Sequence, residues 1–124
     1  MSKARRSGRS SRDTKPRAAP KNPADKPPRT LAIGDIHGHL KALRSVVATA
    51  ELRDDDLLIT LGDYVDRGPD SQGVLEWLIE RDATGRLVPL LGNHEQMMLD
   101  ARTDPEMKEL WLMNGGDETL VSYG

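Results

Sequence analysis

The feature that most constrains this chain is a pattern that occurs three times, in which a short apolar run ends in glycine and polar side chains. The runs cover residues 30–33, 57–61 and 87–91. Near-continuous apolar runs of this length are typical of buried strands that are covered on both faces. Apolar side chains recur at helical spacing between the runs. The pattern therefore predicts a β-α-β-α-β unit of the α/β class.

Local signals mark the ends of the helices in this unit. Asp70 is suited to cap the start of the second helix, and Gly85 is suited to end it. A later helix is predicted to start at Asp104-Pro105 and to stop at residues 114–116, Asn-Gly-Gly. Because crossovers between parallel strands are right-handed, the ends of the three strands should meet at one edge of the sheet.

Charge divides the sequence into two parts. Residues 1–29 contain ten Lys or Arg against two Asp, whereas residues 30–124 contain eight Lys or Arg against eighteen Asp or Glu. The first part lacks apolar side chains to bury, so we expect a disordered basic tail at 1–29 and a folded domain at 30–124. The tail has no aromatic residue to stack on a base, so nucleic acid is not predicted as a partner. Weak contact of the tail with a polyanion stays open.

The sequence contains no cysteine and no run of about 18 apolar residues. The absence of cysteine excludes disulfides and zinc–thiolate sites. We therefore expect a cytoplasmic protein that has no membrane partner.

Polar side chains follow each predicted strand. Residues 34–38 read Gly-Asp-Ile-His-Gly, residues 62–68 read Gly-Asp-Tyr-Val-Asp-Arg-Gly, and residues 92–95 read Gly-Asn-His-Glu. Each group alone is compatible with an ordinary turn. Together they place carboxylate, imidazole and amide groups at the carboxyl ends of parallel strands, where open α/β sheets bind ligands. The sequence thus predicts a metal site at this edge.

These three groups, in this order, resemble the signature of the phosphoprotein phosphatase group of calcineurin-like metallophosphoesterases. The resemblance runs from Leu31 to Gly124, and the stretch 111–116, Trp-Leu-Met-Asn-Gly-Gly, is similar to bacterial members. It implies the N-terminal half of a four-layer α-β-β-α sandwich. It also implies a hydrolase acting on phosphate monoesters, with a phosphorylated protein or a small phosphoester as substrate.

The resemblance further implies a centre of two divalent metal ions. Asp35 and His37 would hold the first ion, Asp63 would bridge both ions, and Asn93 would give its amide oxygen to the second. The ions together would activate a water for attack on phosphorus. Mixed His, Asp and Asn ligands favour manganese, iron or zinc over calcium.

Three more residues receive roles from the resemblance. His94 would protonate the leaving group, Asp66 would orient His94, and Arg67 would clamp the phosphate oxygens. A plain structural interpretation of the same turn makes Asp66 and Arg67 an exposed ion pair.

The sequence departs from the family at the second metal ion. Members of the group supply two more histidines and a second arginine from a C-terminal half, whereas the histidines here are His37, His39 and His94. His39 is expected at a helix start on the surface. We therefore expect a truncated Ser/Thr protein phosphatase with an incomplete second metal site and weak or no activity. Two alternatives stay open: a hydrolase like the symmetrical diadenosine tetraphosphatases, and a non-catalytic fragment that binds metal or phosphate.

Overall fold

The fold is built on a three-stranded parallel sheet, seen in a computed structural model that describes residues 26–124. The strands lie in the order β1 (Thr30–Ile33), β2 (Leu57–Thr60) and β3 (Leu87–Pro89). Helix α1 (Leu40–Thr49) joins β1 to β2, and α2 (Ser71–Asp82) joins β2 to β3. The predicted β-α-β-α-β unit with parallel strands is confirmed.

Three helices follow the sheet. They are α3 (Asn93–Asp100), α4 (Pro105–Trp111) and α5 (Asp117–Ser122), and a π-helical turn at Leu112–Gly116 separates the last two. The side chain of Asp104 accepts hydrogen bonds from the first turn of α4, and Asp70 accepts one from Gly73 N at 2.8 Å at the start of α2. Both predicted caps are confirmed. No helix within 26–124 is long and apolar enough to cross a membrane.

Both connecting helices cover the same face of the sheet. Leu43 of α1 and Val74 of α2 join one buried cluster with Leu58 and Leu87 from the strands. This arrangement follows from the strand order, since two right-handed crossovers in the same direction place their helices on one side.

The expectation that the strands are covered on both faces is wrong for the described residues. On the side away from α1 and α2, Ala32, Ile59 and Val88 are aligned by the strand register, and Val88 is 40% exposed. The strands also end earlier than predicted, at residues 60 and 89. Pro89 offers no N–H to the ladder, and β3 lies at the sheet edge, where a proline is tolerated.

An ion pair ties the start of the described chain to the sheet. Asp56 is fully buried and accepts hydrogen bonds from the backbone and guanidinium of Arg29 and from the amide of Arg53, at 2.7–2.9 Å. The Arg29 carbonyl also accepts from Leu57 N at 2.8 Å, so Arg29, assigned to the tail from sequence, contacts the domain. Residues 1–25 lie outside the described residues, and their predicted disorder stays a prediction.

This ion pair should make stability depend on pH. The hydrogen bond from Arg29 holds the pKa of Asp56 well below its usual range. Because the folded pKa is lowered, the contribution of Asp56 is complete above an ordinary carboxyl pKa of about 4 and is lost as the pH falls below it. We expect Asp56→Asn to lower the thermal midpoint at pH 7, and the difference from wild type to shrink between about pH 4 and pH 2.

Circular dichroism melts across this pH range provide the measurement. Asp55→Asn is the matched control, since this side chain is 43% exposed and its one salt bridge within the described residues is with Arg53. Equal effects of the two substitutions at pH 7 would contradict the assigned role of Asp56.

Candidate metal centre

The loops that follow β1 and β2 are joined by backbone hydrogen bonds. Ile36 N and His37 N both donate to Asp63 O, at 3.0 and 2.9 Å, and Gly38 N donates to Tyr64 O at 2.8 Å. These bonds fix the first loop directly on the second. The predicted site residues of both loops are therefore held on one rigid backbone unit.

Four predicted site residues adopt left-handed backbone conformations that side chains other than glycine rarely take. Their φ angles are +44° at His37, +56° at Asp63, +80° at Asp66 and +75° at Arg67. Each such residue costs about 1–3 kcal/mol and persists only where the surrounding structure holds it. Strain of this kind clusters at functional sites.

Asp35, His37 and Asp63 form a group that fits one divalent cation. Each offers a ligand atom, and these atoms all lie within 4.8 Å of one another. His37 Nδ1 is 2.9 Å from Val65 O. A carbonyl oxygen only accepts, so Nδ1 carries the proton and Nε2 keeps its lone pair for a metal. Two carboxylates and one imidazole suit manganese, iron or zinc.

Asn93 is the first residue of α3, next to this group. Its neighbour His94 donates its backbone N–H to Asp63 Oδ1 at 2.9 Å. A Cβ atom at Gly92 would collide with the Asp63 backbone, so only glycine allows this approach. The backbone therefore brings residues 92–95 against the carboxylate of Asp63, the ligand that was predicted to bridge the two ions.

Glu95 organises this part of the site, a role that the sequence did not predict. Its carboxylate is buried and accepts four backbone hydrogen bonds, from Asp63, Tyr64, Val65 and Gly92, at 2.7–3.2 Å. The only local signal is an acidic side chain in the first turn of α3. Its partners on the β2 loop lie 30–32 residues away in the chain.

Asp66 and His94 form a buried pair beside the candidate ligands. His94 Nδ1 is 2.7 Å from Asp66 Oδ2, and Asp66 is fully buried. The ring of His94 packs edge-on against that of His37, with centroids 4.7 Å apart. Burial of Asp66 rules out the exposed Asp66–Arg67 ion pair.

Arg67 itself is exposed, and its backbone N donates to Gly115 O at 3.2 Å. Its guanidinium takes part in no salt bridge within residues 26–124. His39 directly precedes α1 and is exposed, as expected. Two further contacts of Asp66, with Trp111 and Thr119, were not predicted from the sequence.

Comparisons with known proteins agree with this geometry. Residues 28–123 match the profile of the family described as Calcineurin-like phosphoesterase. Serine/threonine-protein phosphatase 1 of Salmonella typhimurium is 49% identical over 88 residues, which cover 68% of this chain and 38% of that protein. Serine/threonine-protein phosphatase 2 of Escherichia coli is 40% identical over 86 residues, which cover 68% and 37%.

A relative with a different name is similar over a longer stretch. The symmetrical bis(5'-nucleosyl)-tetraphosphatase of Edwardsiella ictaluri is 42% identical over 101 residues, which cover 76% of this chain and 36% of that protein. The matched segment thus spans a little over a third of the length of each of these relatives.

The four hydrogen bonds to Glu95 generate a prediction. Glu95→Gln keeps the side-chain volume but replaces one acceptor oxygen with an NH₂ group that faces backbone donors. We expect a loss of about 2–3 kcal/mol in the free energy of unfolding, because hydrogen bonds to charged groups are among the stronger ones. We also expect weaker binding of Mn²⁺, since the Asp63 loop is loosened.

Denaturant unfolding and calorimetric Mn²⁺ titration measure the two effects. Glu106→Gln is the control, since Glu106 also lies in the first turn of a helix but is exposed. If the two variants are equally stable and bind Mn²⁺ equally well, Glu95 does not organise the site.

Proposed function

Because this chain belongs to the calcineurin-like phosphoesterase family, we propose that it hydrolyses phosphate monoesters with divalent metal ions, and that its substrate is a phosphorylated serine or threonine of a protein. The observation that carries the proposal is the placement of the Asp66–His94 pair directly beside the Asp35, His37 and Asp63 group. Hydrolysis of a phosphoester needs a cation that activates water and, next to it, a group that protonates the leaving oxygen; the Asp66–His94 pair is suited to the second task. The choice of a phosphoprotein follows the names of the Salmonella typhimurium and Escherichia coli relatives.

The proposed metal ligands divide into two sets. Asp35, His37 and Asp63 would hold one ion, and their donor atoms fit it. Asp63 and Asn93 would offer two donors to a second ion. When bound, such ions act as Lewis acids that neutralise charge on the phosphoryl oxygens and make a water more nucleophilic. Manganese, iron and zinc all suit this donor set.

Arg67 and His94 would carry out the remaining steps. The exposed guanidinium of Arg67 has the planar fork that binds two phosphate oxygens. As the oxygen of water bonds to phosphorus, the bond from phosphorus to the leaving oxygen breaks, and His94 in its doubly protonated form gives the Nε2 proton to that oxygen. The attacking water gives up one proton, which restores the doubly protonated His94, and its other proton stays on the phosphate. The products are an alcohol and inorganic phosphate. Asp66 holds the Nδ1 proton, which leaves Nε2 as the nitrogen that gives and takes protons.

A second candidate substrate is a dinucleoside tetraphosphate. Its support is the similarity to the Edwardsiella ictaluri enzyme, which extends over 101 residues. The two candidates differ in their products, since a phosphopeptide releases inorganic phosphate and a symmetrical dinucleoside tetraphosphate releases two nucleoside diphosphates. Chromatography of both reactions with Mn²⁺ distinguishes them. Phosphate binding without products from either substrate would favour the non-catalytic alternative.

Ligand count predicts how the 124-residue polypeptide behaves. It should bind one Mn²⁺ ion well and a second ion weakly, because Asp63 and Asn93 provide only two donors, of which one is shared. Turnover of p-nitrophenyl phosphate should be slow for the same reason. Asp63→Asn removes a charged ligand from both ions, so we expect at least about tenfold weaker binding of Mn²⁺ and loss of the remaining turnover.

Calorimetry gives the stoichiometry and affinity, and a colorimetric assay gives the rate. Asp82→Asn is the control, since this carboxylate is exposed at the end of α2. Unchanged Mn²⁺ binding in Asp63→Asn would refute the proposed site. Fast turnover by the wild-type polypeptide would show that two donors suffice for the second ion.

A further inference from the structure

Asp66 is a buried carboxylate that has no arginine or lysine partner within the described residues. Its exposed fraction is 0%, and within residues 26–124 its only ion-pair partner is His94. A buried carboxylate is costly unless hydrogen bonds satisfy both oxygens. The donors that satisfy Asp66 are therefore as important as the carboxylate itself.

Two neutral side chains provide these donors. Trp111 Nε1 lies 2.9 Å from Oδ1 and 2.8 Å from Oδ2 of Asp66, and an indole nitrogen can only donate. The Thr119 hydroxyl donates to Oδ1 at 2.8 Å and accepts from Asp66 N at 2.8 Å. Thr119 therefore binds the side chain and the backbone of Asp66 at once.

The direction of each hydrogen bond in this network is determined. The Asp66 amide can only donate, and the one proton of the Thr119 hydroxyl goes to Asp66 Oδ1. The Ser71 hydroxyl, 2.9 Å from Thr119 Oγ1, must then donate to Thr119. Trp111, Thr119 and Ser71 are all buried, so water does not compete for these bonds.

Residues 111–119, which carry both donors, are fixed against the turn that contains Asp66 and Arg67. Gly115 has a φ of +105°, and a Cβ atom there would lie 2.7 Å from Arg67 N. Gly116 has no room for a Cβ beside the ring of Trp111. The kink between α4 and α5 therefore needs both glycines to bring Trp111 and Thr119 onto Asp66 from opposite ends.

We propose that Trp111 and Thr119 are positioning residues that hold Asp66 as an acceptor for His94, and so keep the proton of neutral His94 on Nδ1. The proposal rests on the function proposed above. With Oδ1 and Oδ2 occupied by fixed donors, the acceptor site left on Oδ2 takes His94 Nδ1–H at 2.7 Å. Without those donors the buried Asp66 carboxylate would be free to rotate, Nδ1–H would lose its fixed acceptor, and neutral His94 would favour the Nε2–H form.

The first test measures the His94 tautomer in the metal-free 124-residue chain by ¹⁵N NMR, at a pH where the imidazole is neutral. We expect the Nδ1–H form to dominate in wild type. Thr119→Val keeps the shape but removes the hydroxyl, and Trp111→Phe removes the indole N–H. Each should move the tautomer equilibrium about tenfold toward Nε2–H, by loss of one charge-assisted hydrogen bond.

Matched variants separate positioning from general damage. Thr119→Ser keeps the hydroxyl and should keep the wild-type tautomer. Trp77→Phe changes the other tryptophan of the sequence, which packs against the core cluster, and should have no effect. An unchanged tautomer in both Thr119→Val and Trp111→Phe would overturn the proposal.

The second test uses Mn²⁺-dependent turnover of two esters. Phenyl phosphate has a poor leaving group that needs a proton, whereas 2,4-dinitrophenyl phosphate does not. Thr119→Val should slow the first by about tenfold or more and the second much less. Equal slowing of both esters would indicate structural damage and overturn the positioning role. If wild type turns over neither ester, the proposed hydrolysis fails, while the tautomer measurement still decides the positioning of His94.

Discussion

The site depends first on one carboxylate that joins two loops. Glu95, in the first turn of α3, accepts backbone hydrogen bonds from three consecutive residues of the loop after β2 and from Gly92 after β3. One of these donors is Asp63, whose left-handed backbone is held in place by the bond. Without a fixed Asp63 the loop after β1, which hydrogen-bonds to Asp63 O, also loses its anchor. The strained loops persist because the buried Glu95 carboxylate accepts hydrogen bonds from their backbone amides.

Buried carboxylates perform two different tasks in this molecule. Asp56 is paired with the guanidinium of Arg29, which lowers its pKa and ties the start of the sheet together. Asp66 is equally buried but is held by neutral donors and by His94. An arginine would compete with His94 for the carboxylate, whereas Trp111 and Thr119 leave the imidazole as its one ion-pair partner within residues 26–124. The surroundings, and not the residue type, separate the two roles.

Much of the arrangement was accessible from local sequence. The apolar runs and the caps at Asp70 and Asp104 predicted the elements, and the polar groups after the strands predicted that Asp35 and Asp63 lie close together. The apolar runs alone indicated strands covered on both faces, because such a run does not reveal which side its helices cover. The contact of Thr119 with Asp66 was also missed, since it joins residues 53 positions apart.

The sequence by itself determined the elements, their order and the residue types available at the sheet edge, because hydrophobic periodicity and helix capping act over a few neighbouring residues. The three polar motifs after the strands also indicated its family. Only the tertiary structure decided which donors satisfy Glu95 and Asp66, and which nitrogen of His94 faces Asp66. Those properties depend on distances of about 3 Å between groups far apart in the chain. Tertiary packing alone sets such distances, so neighbouring residues in the sequence do not predict them.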